Sequence, residues 1–184
     1  MSRRSTTQTL VQEQDWLDCA PNEISGEPTL EQLRFRKSVS MFATGIVVLS
    51  CEDDDGNIHG MTVNSFTSVS LQPPTVLVSL KPGKANRLIS RRGRYGASIL
   101  DCGQQKLSAR YGGRPQDNLS SDFVSRTRVP TLRQCLAWFE CEIVERMQIH
   151  DHTLFVAHVT SCGSNDGNPL LFFGSRYHQP VLPA

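Results

Sequence analysis

Apolar positions between residues 29 and 42 recur with helical spacing, at Leu30, Leu33, Val39, Met41 and Phe42. Thr29 stands three places before Gln32, the form of a capping box, and Gly45 can stop the helix. The pattern then changes. Residues 46–51 are a short β-branched run, and the acidic stretch 52–57 ends in Asp55-Gly56-Asn57, a good hairpin turn. That acidic run reads as a solvated loop. Residues 59–71 read as strand, 75–80 as a buried strand and 95–100 as another, with short helices at 85–92 and 104–111. Residues 136–149 alternate as one long strand, with Ala137, Phe139, Cys141 and Ile143 on one face and Glu140 and Glu142 on the other. His150-Asp151-His152 makes a tight connection to a strand at 153–162, and 170–174 is the last strand. Several short strands with few helices predict a mainly β barrel rather than alternating strand and helix units.

The first 27 residues are polar and weakly periodic, which predicts an N-terminal arm with a short helix around 11–17. Residues 28–184 then form one domain. Nineteen Lys and Arg balance eighteen Asp and Glu, leaving a net charge of +1, so no global field favours nucleic acid or an anionic membrane. Arg87, Arg91, Arg92 and Arg94 form a local basic cluster, read mainly as a solvated helix face. No apolar run reaches membrane-spanning length, and no apolar core of an export signal is seen. The expected compartment is the cytoplasm, with free thiols. None of the six cysteines pairs as C-x-x-C, which gives no zinc knuckle, and Cys141 reads as a buried small hydrophobe.

The chemistry concentrates at residues 60–74, GMTVNSFTSVSLQPP. If extended, this segment puts Thr62, Asn64, Ser68 and Ser70 on one face and Met61, Val63, Val69 and Leu71 on the other. The polar face is uncharged. Its hydroxyls and amide suit a flat heteroaromatic with alternating donors and acceptors, such as a flavin ring. The same alternation also suits the outer face of an ordinary half-exposed strand. Ser79, Lys81, Lys84 and Asn86 lead into a helix N-terminus, a position that favours anions. No G-x-G-x-x-G or G-x-x-x-x-G-K-[ST] occurs, so a dinucleotide would bind without a Rossmann unit. His150, His152 and His158 share strand parity. They permit a metal site, a pocket histidine at His152, or a polar turn without a role. No carboxylate or thiol completes a metal set, since Asp151 would point away. A G-x-S-x-G elbow is absent too.

Five ordered blocks resemble the short-chain flavin reductases of two-component monooxygenases: FATGIVVLS at 42–50, the segment at 60–74, TVLVSL at 75–80, DHTLFVAHV at 151–159 and PLLFFGSRYH at 169–178. The His-Asp-His turn, AWFECE at 137–142 and the RYH ending are similar to the styrene monooxygenase branch of that family. The resemblance implies an FMN-binding split β-barrel and a homodimer with the flavin near the subunit interface. It implies oxidation of NADH, with FAD (FMN possible) as the acceptor, and release of diffusible reduced flavin to an FAD-dependent epoxidase. By position it places Met61, Thr62, Val63, Asn64 and Ser65 along the isoalloxazine, with Thr44 near the ring. Ser68 and Ser70 would lie near the ribityl and phosphate portion, and Ser79, Lys81 and Asn86 would close the phosphate end. His152 would border the nicotinamide, with Arg176, Tyr177 and His178 at the same mouth. No metal is implied. A reductase serving another oxygenase, a non-catalytic flavin-binding barrel, a nucleic-acid module and a metal-dependent barrel enzyme are the competing functions.

Overall fold

The computed structural model describes residues 27–113 and 120–180. The predicted arm (Glu27 apart), its short helix and Cys19 lie outside the described residues. Helix α1 spans Leu30–Val39 and opens with the expected reciprocal cap: Gln32 N donates to Thr29 Oγ1 at 3.2 Å and Thr29 N to Gln32 Oε1 at 2.9 Å. It ends at Ser40, well before Gly45, and none of its residues is buried. Its cap and length, rather than packing within this chain, define it.

Twelve strands follow among the described residues: β1 (Thr44–Gly45), β2 (Val47–Glu52), β3 (Ile58–Val63), β4 (Thr67–Leu71), β5 (Pro74–Leu80), β6 (Arg94–Ile99), β7 (Phe123–Ser125), β8 (Pro130–Leu132), β9 (Ala137–Ile149), β10 (His152–Ser164), β11 (Leu171–Phe173) and β12 (Arg176–His178). Helix α2 (Lys84–Arg92) separates β5 from β6 and ends on Gly93, whose φ of 68° is left-handed. Helix α3 (Gln105–Gly112) follows β6. The main sheet is antiparallel and seven-stranded, in the order β3-β2-β6-β9-β10-β5-β4. A three-stranded sheet, β1-β11-β12, and the β7-β8 hairpin complete the set.

The connectivity forces the main sheet to curl. Its two end strands, β3 and β4, are consecutive in sequence and joined only by residues 64–66. Four residue steps reach at most about 14 Å. Seven strands laid flat would put the same ends about 29 Å apart. No ladder joins β3 to β4 among the described residues, so the barrel stays split along this seam.

The strand expected over 59–71 is therefore two strands at opposite ends of the sheet. Strand parity does not carry through the connection, and β4 has a further irregularity between Ser68 and Ser70. Val63 is buried whereas Val69 and Leu71 are exposed, so the single apolar face expected for Met61, Val63, Val69 and Leu71 does not form.

Two apolar clusters cover the sheet. Val47, Leu49, Val78, Tyr95, Cys141 and Phe155 belong to one, and Val48, Leu100, Phe123, Leu132 and Leu170 to the other. Strand β2 is buried on both faces for this reason. Glu140, on the face opposite Cys141, is only 1% exposed. Its carboxylate accepts from Thr127 N at 2.9 Å, from the Thr127 hydroxyl and from Arg128 N at 3.3 Å. The segment preceding β8 closes over it, supplying the hydrogen bonds a buried carboxylate requires.

Candidate functional site

At the seam the two end strands of the main sheet are joined by three residues and their outer edges are unpaired among the described residues. The outer backbone groups of β3 and β4 are free of a second ladder there. The link is anchored from below. Phe66 packs on Phe139, ring centroids 5.4 Å apart. Ser65 Oγ donates to Ser79 O at 2.8 Å and accepts from Ser79 N at 3.2 Å. Asn64 is left exposed, with no hydrogen-bond partner for its side chain among the described residues. Met61 packs against the core and Val63 belongs to it, so these two offer the seam their backbone rather than their side chains.

On the β3 side the groups nearest the strand are uncharged hydroxyls and carbonyls, packed against α3. Thr62 Oγ1 donates to Ser108 O on α3 at 2.7 Å, and Ser108 Oγ lies 2.8 Å from Tyr177 Oη on β12. Ser108 is buried. Thr44 pairs with Phe172, which pairs with Tyr177 in turn. Thr44 Oγ1 is buried and has no hydrogen-bond partner among the described residues. An orphan hydroxyl of this kind calls for a ligand or a water. Helix α3 comes close because Gly60 has no side chain: a Cβ there would lie 2.6 Å from the Tyr111 ring. Tyr111 Oη donates to Asp122 Oδ2 at 2.8 Å, where Arg110 also binds at 2.9 Å. Burial and the Asp122 carboxylate push the Tyr111 phenol above its usual range.

On the β5 side the groups are charged and exposed. Lys81 Nζ is 3.7 Å from Asp151 Oδ2, and Asp151 Oδ1 is 2.8 Å from His152 Nδ1. The His152 hydrogen bond holds the Asp151 carboxyl below the usual carboxylate range against the opposing effect of burial, and Lys81 adds to the lowering. Asn86 Nδ2 donates to Thr153 Oγ1 at 3.1 Å and to Leu80 O at 3.3 Å, which ties α2 to the start of β10.

The structure thus groups Thr44, Thr62 and Tyr177 on one lip of the seam and Ser65, Ser79, Lys81, Asn86 and His152 on the other. It does not unite the expected phosphate end. Ser70 pairs with Thr75, six residues along β5 from Lys81, or about 20 Å at strand rise. Ser68 and Ser70 therefore lie away from Lys81 and Asn86. Arg176 is exposed with no side-chain partner among the described residues, and His178 Nε2 lies 3.0 Å from Phe173 O.

Asp151, expected to point away, meets His152 instead. It sits in the turn, not on the strand, so alternation does not apply to it. Nothing in the sequence pattern marks Ser108 or Phe66, because only the fold brings them to the seam. The three histidines do not converge: His152 and His158 are six residues apart on β10, about 20 Å. Among the described residues no group of three His, Cys, Asp or Glu could hold a metal ion. A cleft of about 250 Å³ lined by Arg92, Arg94, Arg128, Glu140 and Glu142 shares no residue with either lip.

An uncharged seam with an orphan hydroxyl on one side and a charged hairpin tip on the other matches the chemistry of a flavin and an anionic donor. Comparison with known proteins agrees. Residues 39–180 match the family model described as flavin reductase like domain, and the chain belongs to that family. It is 53% identical to the NADH-dependent flavin reductase StyB of Pseudomonas fluorescens, over 81% of this chain and 90% of that one. Its fold is similar to the styrene monooxygenase flavin reductase of Pseudomonas putida S12, with a TM-score of 0.77, 51% identity, and coverage of 82% of this chain and 99% of that chain. It is also similar to the NADH:FAD oxidoreductase SgcE6 of Streptomyces globisporus C-1027, solved in complex with NAD and FAD fragments, at a TM-score of 0.76 and 27% identity over 82% and 93% of the two chains. No helix among the described residues is long and apolar enough to cross a membrane.

Proposed function

We propose that this chain oxidises NADH, reduces FAD and releases the reduced FAD to a partner monooxygenase of the styrene-epoxidising type, with residues 28–184 as the catalytic domain. The observation that carries this is the buried, unpartnered Thr44 hydroxyl beside an uncharged seam whose backbone edges are open. Flavin, when bound, supplies the hydride-accepting ring, and FMN offers the same ring. The backbone of Met61, Thr62, Val63, Asn64 and Ser65 lines that ring, and Thr44 satisfies its orphan oxygen on it. Tyr177, through Ser108, holds Thr62 in place. Ser79, Lys81 and Asn86 support the opposite lip, and His152 orients the nicotinamide there. Arg176 and His178 flank the mouth, while Ser68 and Ser70 lie beyond the ring along β4. None of the lining groups needs to act as acid or base in hydride transfer, so positioning is the chain's contribution.

A homodimer is part of the proposal. Helix α1 carries Leu30, Leu33, Phe35 and Val39 with no buried residue, and Phe42 just beyond it is 75% exposed. Apolar surface of that extent on one element suits a second subunit. Cys51, Cys102, Cys135, Cys141 and Cys162 are all free thiols, which suits the reducing cytoplasm. The test is a steady-state assay at the NADH absorbance band with FAD, FMN and riboflavin in turn, and with NADPH in place of NADH. NADH oxidation that depends on added FAD supports the proposal; binding of FAD without NADH oxidation would contradict it.

A further inference from the structure

The tip of the β9-β10 hairpin is more tightly built than an exposed turn requires. Gln148 Nε2 donates to His150 O at 2.8 Å, and Gln148 Oε1 accepts from Thr153 Oγ1 at 2.9 Å. Thr153 Oγ1 also accepts from Asn86 on α2 at 3.1 Å. His150 takes a left-handed φ of 50° to make the turn. On this braced base Asp151 and His152 stand side by side, with Oδ1 to Nδ1 at 2.8 Å, and the second carboxylate oxygen faces Lys81 at 3.7 Å. We infer that Asp151 is a positioning residue that fixes the His152 imidazole in its Nδ1–H tautomer, so that Nε2 presents a lone pair to the amide N–H of the nicotinamide donor. This rests on the placement of His152 beside the nicotinamide proposed above.

Donor and acceptor count decides the tautomer. An ionised carboxylate only accepts, so the neutral imidazole must carry its proton on Nδ1 to make the bond. Its other nitrogen is then an acceptor. Lys81 at the second oxygen favours the ionised carboxylate and fixes its direction, and the carboxyl is held below its ordinary range. Stability does not explain the arrangement. Asp151 and Lys81 are 63% and 43% exposed, and surface ion pairs of this kind add little. A group that contributes little to folding yet sets a tautomer at a site's lip is placed for recognition.

Nitrogen-15 NMR of the full chain labelled at histidine, at alkaline pH, reads the tautomer directly. The expected result is Nδ1–H for His152 in the parent, a shift toward Nε2–H in Asp151→Ala, and recovery in Asp151→Asn, whose amide oxygen can still accept. Asp151→Ala should raise KM for NADH roughly fivefold, the worth of one ordinary hydrogen bond, with kcat and FAD affinity little changed. An unchanged tautomer in Asp151→Ala, or an unchanged KM when His152→Ala does raise it, would overturn the inference. If His152→Ala itself leaves KM unaltered, the nicotinamide placement fails and the recognition role falls with it. The tautomer shift would still separate that failure from a failure of the Asp151 contact.

Discussion

The two lips of the seam are built by opposite means. On the β3 side, Thr62, Ser108 and Tyr177 join through hydroxyl and carbonyl oxygens, Ser108 is buried, and none of the three is charged at neutral pH. On the β5 side, Lys81, Asp151 and His152 join through charge, in solvent, on a hairpin tip. A wall of hydroxyl and carbonyl groups suits the flat polar ring of the proposed flavin, which must be released once reduced. A charged, exposed tip suits a soluble donor that comes and goes. On the proposed reading flavin lies at one lip and NADH at the other, and the substitutions at Gly60, His152 and Thr62 below should each move one affinity and spare its counterpart.

The largest effect is expected at Gly60. Gly60→Val would drive a side chain into the Tyr111 ring, which cannot easily yield because Asp122 holds its hydroxyl and Phe123 lies 5.4 Å away. Overpacking there should cost about 1–3 kcal/mol in urea unfolding. Prying α3 from β3 should also weaken FAD binding more than tenfold in a fluorescence titration, an order set by the loss of several contacts. His152→Ala comes next. KM for NADH should rise roughly tenfold in steady-state kinetics, as for loss of a good hydrogen bond, with the FAD dissociation constant within about twofold. Equal changes in both would merge the two lips into one site. Thr62→Val is milder. It removes the bond to Ser108 O, should cost about 0.5–1.5 kcal/mol of stability and should weaken FAD but not NADH.

The smallest effect concerns His59 on β3. Burial holds its imidazole below the ordinary value of 6.5. Below that value the unfolded chain binds more protons at this position than the folded one, so stability falls as the pH drops through 6.5 and levels off beneath the folded value. Urea midpoints measured from neutral to mildly acid pH should decline, and His59→Gln should flatten the slope. The Asp151-His152 contact acts separately and lies on the other lip.

Much of this organisation is written locally and some is not. The Thr29 cap, the turn at Asp55 and Gly56, and the long β9-β10 pair follow from short-range rules, and the structure places all of them. The split of 59–71 into two edges does not follow, because alternation across Asn64 to Phe66 looks continuous until the closing of the sheet separates it. Glu140 shows the same limit. Alternation puts it on the face opposite Cys141, but its burial comes from the Thr127 and Arg128 segment, which pattern along β9 does not reveal. Strand parity misplaces Asp151 because it sits in a turn. The candidate residues themselves are legible mainly through family resemblance, and what the fold adds is their division into two lips and the support given by Ser108, Phe66 and Thr153.

The most direct measurement is anaerobic rapid mixing of the FAD-loaded protein with increasing NADH, following the flavin absorbance. The expected result is a single loss of the oxidised-flavin band whose rate saturates with NADH, and in His152→Ala the same limiting rate reached only at higher NADH. A band that persists after NADH is added to protein shown to hold FAD would contradict hydride transfer at the seam.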